Sequence, residues 1–274
     1  MLHGREAPLT VAMPSLIIGN MASPCNHSSA ARRMLTCWAA GERCLAAGLY
    51  MPARRVLETA ESIAWRRGDA YSLSRLYLPL LETCRQLRRQ AGDGLIVIVD
   101  PWRRAAQRQA AARLIRWGAG TMICSGPRAV QQSRYIMRLA RSRGLPLEAL
   151  VLCGRRERWR ISSPADPTFA AGLPVRFTRD PAALYEPASP ENMTVTLPGP
   201  GFFTEGEPAH GLAKESLLAA WEGLALRWQS RHPGQAAPWA QMQWLRESRR
   251  IDPACEPVLT RLIQLAEQIA RDGG

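Results

Sequence analysis

The stretch "LIVIVDPWRR", residues 95–104, decides the fold. Its first five residues are apolar and mostly β-branched, the composition of a strand buried on both faces, as in the parallel sheets of α/β proteins. Asp100 and Pro101 then end the strand and open a helix. Aspartate accepts from the free N–H groups of a first turn, and proline's fixed φ suits the position that follows. A carboxylate at a strand tip also suits a ribose hydroxyl, a magnesium ion or a proton in transit. Asp100 is therefore both a cap and a candidate ligand, and with no partner motif beside it the cap takes precedence.

Downstream the pattern repeats. A helix is predicted from Pro101 to Trp117, with Ala106, Ala110, Leu114 and Trp117 along one side. "GTMICSG" (120–126) reads as a second strand, Pro127 to about Arg143 as a helix, "LEALVLCG" (147–154) as a third strand and "RWRIS" (158–162) as a candidate fourth. Strands alternating with helices of this length form βαβ units with right-handed crossovers. The expected class is α/β: a short parallel sheet with flanking helices, preceded by a repeat-like helical hairpin and followed by a helical C-terminal region.

Upstream, residues 30–92 read as short antiparallel helices, with apolar residues at helical spacing and breaks at Gly48 with Pro52 and at Gly68 with Asp69. Gly48, Tyr50, Ala53, Leu57 and Ala60 have the spacing of a second repeat helix. Gly41 takes the close-packed glycine position of the first, and Cys37 and Cys44 stand where large aromatics are usual. Over residues 34–67 the chain thus resembles a tetratricopeptide repeat, for about one repeat and a half. The resemblance implies a concave face that binds a peptide, hence a protein partner. A helical hairpin packed on the next domain accounts for the same residues. Pro79 is expected to kink or shorten the third helix.

The remaining regions differ in character. Residues 162–211 form a proline-rich acidic arm, with nine prolines and six acids (Asp166, Asp180, Glu186, Glu191, Glu205, Glu207) against two arginines. "PVRFT" and "MTVTL" are its strand candidates. Residues 128–160 carry nine arginines against two acids, so the arm is expected to lie over that basic surface. From 212 to 274 the pattern is helical again: Trp221, Leu224 and Trp228 share one side, Trp239, Met242 and Leu245 the next. Asp252 and Pro253 are expected to cap a last helix striped by Val258, Leu262, Leu265 and Ile269.

The net charge of +13 rests on 35 arginines and one lysine, Lys214. This skew, with abundant Ala, Gly and Pro, reads first as the codon bias of a GC-rich genome, though arginine also serves phosphate and carboxylate recognition. Seven cysteines form no C-x-x-C pair and fit buried thiols of a reduced, cytoplasmic protein. Cys25-Asn26-His27 offers two metal ligands with no second pair to complete a site. Residues 1–29 read as a flexible leader, with Pro14 interrupting any signal-like stretch, and no run reaches the length of a membrane span. No cofactor motif is present: G-x-G-x-x-G, the phosphate-binding G-x-x-x-x-G-K-[ST] loop and G-x-S-x-G are all lacking.

In an open parallel sheet, ligands bind beyond the carboxyl ends of the strands, where the connections change direction. The three predicted strand ends supply Asp100 and Arg103, then Ser125, Gly126 and Arg128, then Gly154 and Arg155 as candidate anion-binding residues. Ser125 and Gly126 also precede a helix N-terminus, whose N–H groups favour an anion. Ser125 lacks an evident base, the histidines lying at 3, 27, 210 and 232. Arg134, Arg138 and Arg141 recur at i, i+4 and i+7, on the face opposite Val130, Met137 and Ala140. Such a ridge could follow the phosphates of a nucleic acid, with Tyr135 beside it for stacking; a solvated helix face gives the same pattern. The leading reading is a binding protein, for a protein partner or an anionic small ligand. Behind it stand an enzyme acting on a phosphorylated or nucleotide-like substrate in the same crevice, and arginine-mediated nucleic-acid binding.

Overall fold

Helix breaks at Gly48 and Gly68 set the N-terminal architecture. In a computed structural model, which describes residues 24–98, 104–155, 158–166, 168, 171–178, 194–198, 214–231 and 237–272, three helices follow one another: α1 (Pro24–Ala46), α2 (Tyr50–Arg67) and α3 (Ala70–Gly92). Gly68 closes α2 in the left-handed region, φ +65°, where a Cβ would be strained. One residue on, Asp69 caps α3, its carboxylate accepting from the Ser72 N–H at 2.9 Å. Ala53, Leu57 and Ala60 are fully buried, and a Cβ on Gly41 would lie 2.5 Å from Leu57 Cγ, so α1 and α2 meet closely only because residue 41 is glycine. Pro79 does not shorten α3, which runs 23 residues through it, with the Thr83 hydroxyl donating to the Pro79 carbonyl at 2.7 Å.

The middle of the chain forms the predicted α/β unit: β1 (Leu95–Ile98), α4 (Arg104–Trp117), β2 (Gly120–Ser125), α5 (Ala129–Arg143), β3 (Leu147–Arg155) and β4 (Arg158–Ser162). β1, β2 and β3 are parallel neighbours, with Leu95 opposite Gly120 and Gly120 opposite Leu147. The sheet is mixed rather than parallel throughout. β3 turns back into β4 as an antiparallel hairpin, and β4 pairs antiparallel with β5 (Leu173–Thr178). β6 (Val195–Pro198) then joins β5 in parallel, for a strand order of β1-β2-β3-β4-β5-β6. Both strand candidates in the proline-rich segment are thus sheet strands. Asp166, in the same segment, is buried and accepts from Thr168 and from the Ala171 N–H, so it shapes its own turn. The other five acids of that segment lie outside the described residues, as does Asp100.

Three cores hold the layers together. One face of the sheet packs on α4 and α5 through Leu114, Ile136, Met122 and Val151. Trp117, expected on that buried side, is 55% exposed at the end of α4. The opposite face, with Ile123, Leu150 and Leu173, is covered by Trp221 and Leu224 of α6 (Lys214–Gln229). Trp228 of α6 stacks on Trp244 of α7 (Pro238–Ile251), ring centroids 5.5 Å apart. The third core joins the two ends of the chain: Leu57, Leu73, Leu76 and Tyr77 of the first helices bury together with Met242 of α7 and Val258, Leu262 and Leu265 of α8 (Glu256–Asp272). Asp252 ends α7 rather than capping α8, and its carboxylate accepts from the Ala254 N–H at 2.9 Å in the turn between them. Among the described residues no helix is long and apolar enough to cross a membrane. Cys124 and Cys255 are almost wholly buried free thiols, and that burial pushes both up to about 12.

Candidate functional site

The strand order carries a consequence for ligand binding. A crevice at strand carboxyl ends needs a point where neighbouring connections diverge, yet β1, β2 and β3 follow one another in the same direction, with α4 and α5 on one face. The predicted residues at those ends are distributed accordingly. Ser125 is buried in β2, Gly126 follows it with φ +88°, and Arg128 is exposed just before α5. Gly154 has a backbone reason of its own. Its φ is +141°, and a Cβ would sit 2.2 Å from the Arg158 carbonyl oxygen across the β3–β4 hairpin. Asp100, Arg103 and the side chain of Arg155 lie outside the described residues.

The arginines that do converge are at the other end of the sheet. A cavity of about 380 Å³ lies between α3, α5 and the amino end of β3. Arg134, Arg138 and Arg141 of α5 line it, together with Arg54 of α2, Arg88 of α3 and Arg250 of α7; among the described residues Glu148 is the one carboxylate in its wall. Val130, Met137 and Ala140 pack toward the sheet while Arg134, Arg138 and Arg141 are exposed, and Met137 and Ala140 also touch the cavity wall. α5 links the parallel strands β2 and β3 and ends just before β3 begins, so its C-terminal half lies near the start of β3, which brings the stripe to this point.

The six arginines are not equivalent. Arg88 is buried, donating to Glu148 at 2.8 Å and to Asp252 at 2.7 Å, with its guanidinium 4.6 Å above the Trp221 ring. Arg54 is paired with Glu58 at 2.7 Å, and Arg250 with Glu247 at 2.8 Å on the surface. Arg134 donates to the Pro164 carbonyl, which brings no counter-charge, and among the described residues it makes no ion pair. Arg138 and Arg141 make no ion pair within 4 Å among the described residues. Six arginines against Glu58, Glu148, Glu247 and Asp252 leave a surplus of two positive charges, and that surplus sits on the α5 stripe. A surplus of that sign suits an anion of phosphate or carboxylate chemistry.

Glu58 reports on this field. Burial acts to raise its carboxyl, but Arg54, with Arg249 and Arg141 adding to it, outweighs burial and holds the group below its ordinary 4.5. A carboxyl lowered on folding stabilises the protein above 4.5 and loses that contribution as the pH falls through its folded value. The stability gap between wild type and Glu58→Gln, measured by urea melts from pH 7 to pH 3, is therefore expected to shrink below pH 4.5. A gap that widens in acid contradicts this.

Arg54, Arg88, Arg250 and Trp221 were not among the predicted site residues. One of them left a trace in the sequence: Arg88 interrupts the apolar stripe of Leu80, Leu81, Cys84, Leu87 and Ala91, where a guanidinium has no place without buried partners. Arg54 and Arg250 carry no comparable mark. No protein-family model, curated protein or solved structure matches this chain.

Proposed function

We propose that the protein binds an anionic small ligand, of phosphate or carboxylate chemistry, in the pocket between α3, α5 and the start of β3. The observation that carries this reading is the surplus positive charge on Arg134, Arg138 and Arg141 beside a cavity of about 380 Å³, a size usual for small-molecule sites. Binding suits the lining better than catalysis. Glu148 is held by Arg88, and the Ser163 hydroxyl donates to the Ile251 carbonyl while accepting from the Ala165 N–H, so neither is poised as a base or nucleophile.

Pyrophosphate and inorganic phosphate, tested against chloride at equal ionic strength, are expected to raise the melting temperature. A hundredfold excess over Kd stabilises a folded protein by about 2.7 kcal/mol. Arg138→Ala combined with Arg141→Ala should abolish the shift. A shift that survives the double substitution places the anion elsewhere.

A second reading, a protein partner on the N-terminal helices, is favoured by a separate observation. Leu35 of α1 and Tyr71 and Leu78 of α3 are 55%, 61% and 65% exposed. The Arg75 guanidinium lies 5.7 Å from both the Trp38 and the Tyr71 ring centroids, which holds that surface in place.

A further inference from the structure

The pocket arginines on α5 belong to a longer basic stretch of the sequence. From Pro101 to Leu147 the chain carries ten arginines and no aspartate or glutamate, although 23 acids in 274 residues would put about four in a stretch of that length. These arginines fall on or beside α4 and α5, the two helices that cover one face of the sheet, and every one whose side chain is described is exposed. Two large rings stand in water on the same layer: Trp117 at the end of α4, 55% exposed, and Tyr135 on α5, 56% exposed. Tyr135 and Arg138 are three residues apart on α5 and so are surface neighbours on one face. Arg138 also lines the pocket.

A small anion explains the pocket but not the basic layer or its rings. An anionic membrane surface would call for an outward apolar stripe to enter the lipid, whereas the apolar side of α5, at Ala129, Ile136 and Ala140, is spent on the sheet. Phosphates at regular spacing with bases between them match both features, because arginines follow the backbone while exposed aromatics take bases by stacking.

We infer that the α4–α5 face binds single-stranded nucleic acid, with one backbone phosphate seated in the pocket against Arg138 and Arg141 and a base stacked on Tyr135. This rests on the pocket reading above and names its ligand as part of a polymer. The probes are fluorescein-labelled 12-mers of RNA and of DNA, with a heparin fragment and phosphatidylserine vesicles as comparison polyanions. Anisotropy titrations of the full chain run from 50 to 200 mM salt.

Tyr135→Ala is expected to weaken 12-mer binding about 5- to 150-fold with no change in salt dependence, and Tyr135→Phe to restore it. Arg138→Ala is expected to lower the slope of log K against log salt by about 0.7, the loss of one phosphate contact to a single strand. Whichever of RNA and DNA binds more tightly identifies the sugar recognised. Wild-type affinity in Tyr135→Ala, or heparin and vesicles binding as tightly as either 12-mer, overturns the inference. If pyrophosphate raises the melting temperature while neither 12-mer binds, the polymer inference falls and the pocket reading stands; if neither effect is seen, both fall.

Discussion

Arg88→Met is expected to destabilise the protein by about 3–5 kcal/mol, the usual cost of removing one partner from a buried ion pair. Arg88 comes from α3, Glu148 from the start of β3, Asp252 from the end of α7 and Trp221 from α6. One guanidinium thus ties the N-terminal helices, the sheet and the C-terminal helices together. Removing it leaves both carboxylates without their shared cation, with Asp252 only 2% exposed. Replacing all three charges, as Arg88→Met with Glu148→Gln and Asp252→Asn, should recover most of the loss, since the uncompensated charges go with it. Urea denaturation at pH 7 measures both variants. A single substitution costing less than about 1 kcal/mol, the range of an exposed pair, would mean that water reaches the site and the link is superficial.

Glu61→Leu is expected to have a comparable effect, again about 3–5 kcal/mol, at the junction of α2 with α7. Both Glu61 oxygens accept from Arg249, at 2.5 and 2.9 Å, and Arg246 lies 3.6 Å away. The Arg249 guanidinium is 5.7 Å from the Tyr77 ring centroid, and the Tyr77 hydroxyl accepts from the Trp65 indole at 2.9 Å. Without Glu61 the nearly buried Arg249 keeps its charge, because its pKa is too high to lose it. The double variant Glu61→Leu with Arg249→Met should therefore be more stable than Glu61→Leu alone. A strictly additive cycle, with no coupling energy, would show the two groups to be independent and this account of the junction to be wrong.

Much of the secondary structure was legible because its causes are local. The β-branched run at 95–99 marks a strand within a few residues, and glycines at 48 and 68 end helices whatever lies around them. The same holds for "RWRIS", which is β4 residue for residue, and for the stripe of Val258, Leu262 and Leu265, which is buried. Errors arose where a residue's local role has two solutions. Pro79 can stop a helix or be carried through it, and Trp117 can face the core or the solvent at a helix end. Asp252 could cap the helix after it, but in the fold it ends the helix before it, because Arg88 and the Ala254 N–H claim its carboxylate.

The candidate site was legible only in part. The stripe of Arg134, Arg138 and Arg141 follows from helical spacing alone, and so does its basic character. Its partners do not: Arg54 and Arg250 are nearly two hundred residues apart and reach the same cavity only because α7 and α8 fold back onto α2 and α3.

What the sequence by itself determined is the order and type of the elements from the N-terminal helices through the βαβ segment to the last helix, since hydrophobic period and helix caps act over one or two turns. Only the tertiary structure decided that β4 runs antiparallel to both its neighbours, that the N-terminal and C-terminal helices share a core, and that the arginines gather at the amino end of β3. Those outcomes depend on which apolar faces bury each other and which charges lose their water together. That is a property of the whole packed chain, and no window of residues contains it.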